Sequence, residues 1–381
     1  MDILAQATGL LDGAITYVVP FLFVLTVIVF FHELGHFLVA RWCGVRVETF
    51  SIGFGREIAG YDDAKGTRWK LSWIPLGGYV KFFGDDNAAS VPASDSLDKM
   101  SEREREGSFH HKPLASRAAV VAAGPVANFI LAVVIFAGLF SIYGKQIVMP
   151  KVDAIQSESA AEAAGFKVGD LVTAIDGVAI ESFSDMQRIV SANAEKELRI
   201  TVKRNGKLVS LLAVPKRKEI TDRFGNKLRI GLLGIKGSAT AAEVTVKRYD
   251  PASAVWMGVK ETYFVVARTL GYLGDVITGR EKADQLGGPL RIAQISGQVA
   301  GVSFAALIHL AGVLSVSIGL INLFPVPMLD GGHLLFYGIE ALRGRPLSER
   351  MQEIGFRIGL ALVLLLMVFA TWNDLIHLNV F

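Results

Sequence analysis

Four uncharged apolar runs interrupt this 381-residue chain, and they decide which solvent much of it must meet. The first extends from Gly13 to Phe31 and continues through a short polar motif to Ala40. The second covers Ala118 to Gly144, the third is strongest from Val302 to Phe324, and the fourth runs from Ile358 to Asn373, with Phe356 just upstream. A helix needs about 20 mostly apolar residues to cross a bilayer, or about 17 at the short end. The first three runs meet that length, and the fourth is short but compatible with it. Composition agrees, with 51% hydrophobic residues and a mean hydropathy of +0.42. The expected fold class is an α-helical polytopic membrane protein with four transmembrane helices. The first run does not read as a cleavable signal: no Lys or Arg precedes it, its apolar core is too long, and no small-residue cleavage site follows before His32.

The net charge of +3 comes without a polybasic tract, so no nucleic-acid partner is expected. The single cysteine, Cys43, excludes an intrachain disulfide framework and reads as a small buried thiol. A fifth apolar stretch, Ala254 to Gly279, carries Lys260, Glu261, Arg268 and Asp275. Charge at that density is costly in hydrocarbon, so residues 252–300 are expected to form amphipathic helices at the membrane interface.

Lys and Arg near the spans set orientation. None precedes the first run and none follows Trp372, whereas Arg41, Arg46, Arg56, Lys112 and Arg117 lie between runs one and two, and Arg343, Arg345 and Arg350 between runs three and four. Both termini should therefore face away from the cytoplasm, as should the long segment after the second run.

That long segment contains a candidate domain over residues 148–237. Strand-like stretches at 171–175, 198–202 and 208–212 alternate with turn signals at Gly165, Gly169-Asp170 and Asp176-Gly177, and Asn205-Gly206 predicts a tight hairpin. A helix is expected near Ser184 to Ala194. The run Ala160 to Gly177 resembles a bacterial PDZ domain, and Arg229 to Ile235 resembles its carboxylate-binding loop placed at the end of the domain, as in circularly permuted forms. The resemblance implies peptide or C-terminus capture at Ile230, Gly231, Leu232, Leu233 and Gly234; a spacer or size filter is the alternative. Between runs one and two, Val45–Phe54 and Trp69–Phe83 predict a short β-hairpin or sheet at the membrane surface, and Asp85 to Gly107 a mobile linker.

The chemistry begins at His32-Glu33-Leu34-Gly35-His36. On a helix the two histidines share a face, can bind one Zn²⁺, and leave Glu33 within reach of a water at the metal. Three ionisable groups within about one turn of an apolar span are costly unless they serve one another or a metal. The bland alternative is a juxtamembrane polar cap. A catalytic zinc takes three protein ligands, and the best third candidate is Asp330 in Asn322-Leu-Phe-Pro-Val-Pro-Met-Leu-Asp-Gly-Gly-His333. Pro325 and Pro327 must break the third helix there, and irregular backbone at membrane depth belongs beside a cavity.

The pairing of HELGH with NLFPVPMLDGGH resembles the site-2 protease family of intramembrane zinc metalloproteases. Arg46 to Gly55, Ile74 to Phe82 and Gly124-Pro-Val-Ala-Asn-Phe129 are similar to the bacterial regulator of sigma-E protease branch, here with one PDZ domain rather than the frequent two. The resemblance implies one zinc per chain on His32, His36 and Asp330, with Glu33 as catalytic base. It also implies Asn322 and the Gly77-Gly78-Tyr79-Val80 strand as substrate-binding elements. The implied organisation is residues 1–144 with two spans and the cytoplasmic hairpin, a periplasmic PDZ domain at 148–237, and two further spans over 302–381. The setting would be a bacterial inner membrane with the active site toward the cytoplasm. The implied substrates are single-pass transmembrane proteins, such as an anti-sigma factor already cut on its outer side. Rival readings are an inactive PDZ-bearing membrane scaffold with a structural metal, and a transporter; spans two and four have almost no ionisable residues, against the latter. His333 reads as a neighbour of Asp330 or a turn histidine, and His309 as interfacial or packing. His110 and His111 are expected to be solvated, Asn128 to pack or line a cavity, and Gly124-Pro125 to kink the second span.

Overall fold

The computed structural model describes residues 2–85, 100–221, 227–237, 244–283 and 287–377. In chain order, α1 (Asp2–Trp42) leads into the hairpin of β1 (Val47–Asp62) and β2 (Arg68–Phe82), then α2 (Glu102–Gly107) and α3 (Leu114–Ile142). Next come β3 (Lys145–Val148), β4 (Ala154–Ile155), α4 (Ala160–Ala163), β5 (Leu171–Ile175), β6 (Val178–Ala179) and α5 (Phe183–Ala192). They are followed by β7 (Leu198–Arg204), β8 (Lys207–Ala213), β9 (Lys216–Thr221), β10 (Lys227–Leu232), β11 (Ile235–Lys236) and β12 (Val244–Lys247). The chain ends with α6 (Pro251–Ile277), α7 (Pro289–Ala300), α8 (Phe304–Asn322), α9 (Asp330–Arg343) and α10 (Glu349–His377). Among the described residues, four segments are long and apolar enough to cross a membrane: Ile15–Trp42, Leu114–Ile142, Phe304–Asn322 and Arg350–Ile376.

The chain divides into two compact units, residues 1–137, 255–269 and 286–381 in the first, 138–254 and 270–285 in the second. In the first unit, glycines let helices approach closely, as membrane helices require where lipid supplies no hydrophobic drive. A Cβ on Gly35 of α1 would fall 2.3 Å from the Ala123 carbonyl oxygen of α3, and one on Gly312 of α8 would meet Phe136 of α3 at 2.7 Å. Val24 and Ile28 of α1 pack with Leu307 and Ala311 of α8. Asp374 of α10 accepts from the backbone N–H groups of Gly288, Leu290 and Arg291, capping α7.

The β1–β2 hairpin is longer than the short one expected, with strands of 16 and 15 residues and repeated register shifts. Gly53 and Gly55 take positive φ, +88° and +85°, which lets β1 bend without side-chain strain. Its root is pinned by Phe50, which stacks on Trp69 at 4.3 Å within a cluster that includes Phe37, Val80 and Phe82.

Three local expectations are corrected. Residues 86–99 of the expected linker lie outside the described residues, but Glu102–Gly107 is helical, because Ser101 and Glu104 form a capping box. His110 is not simply solvated: its Nε2 lies 2.9 Å from the fully buried carboxylate of Asp85, whereas His111 is exposed as expected, with its Nδ1 3.1 Å from Ser108 Oγ. The segment expected as a loop between spans three and four contains the 14-residue helix α9.

The second unit holds a four-stranded antiparallel sheet in the order β6-β5-β7-β8. Asn205 and Gly206 both take positive φ in the β7–β8 turn, where Arg204 pairs with Lys207. Phe166, Val172, Ile175, Met186, Ile200 and Val202 lie in its core. Arg204 binds Asp170 through Nε and Nη2, each at 2.7 Å, and this guanidinium holds the Asp170 carboxyl below the usual range. Asp170 also accepts from Lys167 N, and Arg204 donates to the Gly165 carbonyl, so one ion pair ties the glycine-rich turn to the hairpin.

Candidate metal centre

Helix α1 carries His32, Glu33 and His36 near its C-terminal end. Four residues apart, the two imidazoles share a face, with ring centroids 4.9 Å apart and Nε2 atoms 3.3 Å apart. Asp330 is the first residue of α9 and arrives from 294 positions further on (330 − 36). Its Oδ2 lies 3.2 Å from His32 Nε2 and its Oδ1 3.6 Å from His36 Nε2. The three residues offer ligand atoms all within 4.8 Å of one another, a grouping found nowhere else among the described residues.

The turn that delivers Asp330 follows from its composition. Helix α8 stops at Asn322, and neither Pro325 nor Pro327 can donate to a continuing helix. The backbone folds back so tightly that a Cβ on Gly331 would lie 2.2 Å from the Phe324 carbonyl oxygen, and one on Gly332 2.4 Å from that of Val326. Met328 takes φ +88°, a strained conformation for a residue with a side chain.

Helix α3 supports the imidazoles from behind. His36 Nδ1 lies 2.8 Å from the Val120 carbonyl, which can only accept, so Nδ1 carries a hydrogen and in the neutral ring Nε2 keeps its lone pair. A Cβ on Gly124 would fall 2.3 Å from His36 Nε2 and 2.9 Å from His32 Cε1, so this position must be glycine for the rings to sit where they do. Two imidazole nitrogens and a carboxylate, with no fourth protein ligand grouped with them among the described residues, match the donor set of a catalytic zinc. The residues fit the metal.

A cavity of about 370 Å³ opens beside the cluster, lined by His32, Glu33, His36 and Asp330, by Asn322 at the end of α8, and by Gly77, Gly78, Tyr79 and Val80 of β2. Its lining also includes Met328 and His333, whose ring stands 5.4 Å from Phe356. Strand β2 comes this near because it lacks side chains there: a Cβ on Gly78 would lie 3.1 Å from Glu33 Cγ, and Gly77 at φ +151° packs under Phe54. The Val80 backbone N–H lies beside the Glu33 carboxylate. Ile230, Gly231 and Leu232 lie in β10 of the second unit; Leu233 is buried there, and Gly234 takes φ +82°. Sequence reasoning assigned Gly124 a kink and left Asn128 open; the signal it passed over is their spacing of four, which stacks both on one face of α3.

A model of peptidase family M50 matches residues 20–366. The chain belongs to that family. It is 54% identical over 375 residues to a "Putative zinc metalloprotease" of Agrobacterium fabrum, covering 98% of this chain and 99% of the relative. It is 41% identical over 391 residues to Metalloprotease MmpA of Caulobacter vibrioides, covering 97% of this chain and 98% of the relative. Among solved structures, the PDZ domain of an SdrC-like protein from Listeria monocytogenes covers 23% of this chain and 84% of its own, at 23% identity. Its TM-score of 0.18 is too low to carry an argument about fold. This M50 chain is a zinc metalloprotease with several membrane helices, and its medium is the lipid bilayer.

Proposed function

We propose that this protease cleaves single-pass transmembrane proteins within the bilayer, with His32, His36 and Asp330 holding one zinc ion and Glu33 acting as general base. The observation that carries the proposal is the convergence of Asp330 with two imidazoles at the end of an apolar span, beside a cavity that Glu33 also lines. A bound zinc supplies Lewis acidity, polarising the scissile carbonyl and lowering the pKa of a water toward about 7. Glu33 takes the proton from the attacking water on its carboxylate and passes it to the leaving amine nitrogen.

Cleavage within a membrane helix requires local unwinding, because an intact helix satisfies every backbone group internally. Strand β2 pairs only with β1, in a two-stranded sheet among the described residues, so its other edge can receive an extended substrate at Gly77–Val80. Asn322 would donate its side-chain amide to a substrate carbonyl freed by unwinding. Residues 148–237 would act as a single PDZ domain on the periplasmic side, capturing a peptide end or limiting the size of what enters. The distribution of Lys and Arg supports an inner-membrane setting with the catalytic cavity toward the cytoplasm and residues 148–237 outside. The substrate class would be an anti-sigma factor or similar membrane-anchored protein, after a first cut on its outer side.

The test is Glu33→Gln in the full-length protein reconstituted with a model single-pass substrate. Zinc content should stay at that of the unaltered protein while cleavage falls by about 10²–10⁴-fold, the usual contribution of a general base. Undiminished cleavage would refute the assignment.

A further inference from the structure

Asn128 is fully buried on α3, yet its Oδ1 has no hydrogen-bond partner. Its side-chain nitrogen lies 3.2 Å from His32 Nδ1. With the amide in that orientation, Nδ2 donates to Nδ1, and a neutral His32 then carries its hydrogen on Nε2, the atom that faces His36 and Asp330. A metal needs the opposite tautomer, with Nε2 bare. Turning the amide about its last bond exchanges oxygen and nitrogen with little movement of heavy atoms and brings Oδ1 to Nδ1 as an acceptor.

From this geometry we infer that Asn128 is the positioning residue for His32: with metal bound, its Oδ1 accepts the His32 Nδ1 hydrogen and fixes the tautomer that presents Nε2. The inference rests on the reading of His32, His36 and Asp330 as zinc ligands. His36 gives the precedent within the same site, since its Nδ1 is held by the Val120 carbonyl, two turns earlier on the same helix. Asn128 is itself anchored: Ser315 Oγ on α8 donates to its backbone carbonyl at 2.8 Å, and Gly319 leaves space beside its Cβ. Each imidazole thus takes its Nδ1 partner from α3, one from the backbone and one from a side chain. A carboxylate could replace the amide oxygen as acceptor, whereas an apolar side chain could not.

The experiment measures zinc affinity of the full-length protein in detergent by chelator competition, for the unaltered chain and for Asn128→Leu, Asn128→Asp and His36→Ala. Asn128→Leu should bind zinc about 10–100-fold more weakly, the usual effect of removing a group that orients a ligand. Asn128→Asp, which keeps an acceptor and loses both donors, should retain most of the affinity. Thermal unfolding of the metal-free proteins separates misfolding from a local effect, and the Asp variant keeps the test open if the Leu variant fails to fold. The inference is overturned if a folded Leu variant matches the unaltered chain, or if the Asp variant binds zinc no better than a folded Leu variant or, where none folds, than His36→Ala. Retention of full affinity by His36→Ala would instead overturn the zinc-ligand reading, and this inference with it.

Discussion

Helices α3 and α10 are nearly matched as sequences and treated very differently by the fold. Their spanning segments are 29 and 27 residues long, with hydropathies of 2.4 and 2.3. Yet half of the most apolar window of α3 is buried within the protein, against 6% for α10. Mean hydropathy says that both enter the bilayer and nothing about which neighbours they meet. The difference lies in small and polar residues. Gly124 and Asn128 place α3 against both histidines, and Ala123 and Ala127 receive Gly35 of α1. Helix α10 presents Leu364, Leu365 and Val368 outward and approaches protein closely through Gly355 and Gly359. Without a hydrophobic drive between helices in lipid, close contact requires such small residues or hydrogen bonds.

The largest effect that would sharpen this contrast is expected at Gly124→Leu. The new side chain would begin 2.3 Å from His36 Nε2, and displaced imidazoles should lower proteolysis by at least about a hundredfold. Cleavage of a model substrate together with zinc content checks this. A Gly359→Leu change at the close contact of α10 should have an intermediate effect, since its Cβ would overlap the Pro327 carbonyl oxygen in the turn before Asp330. Overpacking there should cost about 1–3 kcal/mol in unfolding measured in mild detergent. The smallest effect is expected at Leu365→Ala, where the side chain is 65% exposed and a change of about 0.5 kcal/mol is the scale of one apolar residue facing lipid. A Leu365 variant as damaging as the Gly124 variant would break the comparison and show that the Leu365 face of α10 packs against something more than lipid.

Much of the site was legible because it is local. HELGH needs only the helical repeat to put two imidazoles on one face, and Pro325 and Pro327 end α8 by their own chemistry. The capping box at Ser101 and Glu104 was equally local, but the acidic composition around it suggested a linker. His110 was misread for the opposite reason, as its partner Asp85 lies 25 positions away, beyond any helical repeat. Asn128 was visible as a polar residue at membrane depth, but its partner was not, because 96 positions separate it from His32.

The sequence by itself determined the four apolar segments, the spacing of the histidines, the break before Asp330 and the hairpin turn at Asn205-Gly206. Each depends on intrinsic backbone preference or transfer from water to hydrocarbon, which act over a few residues. Only the tertiary structure decided that Asp330 meets His32 and His36, that α3 rather than α10 stands behind them, and which imidazole nitrogens face inward. Those outcomes depend on helix rotation and on the absence of a Cβ at Gly35, Gly78 and Gly124, and steric fit between segments far apart in the chain has no local signature.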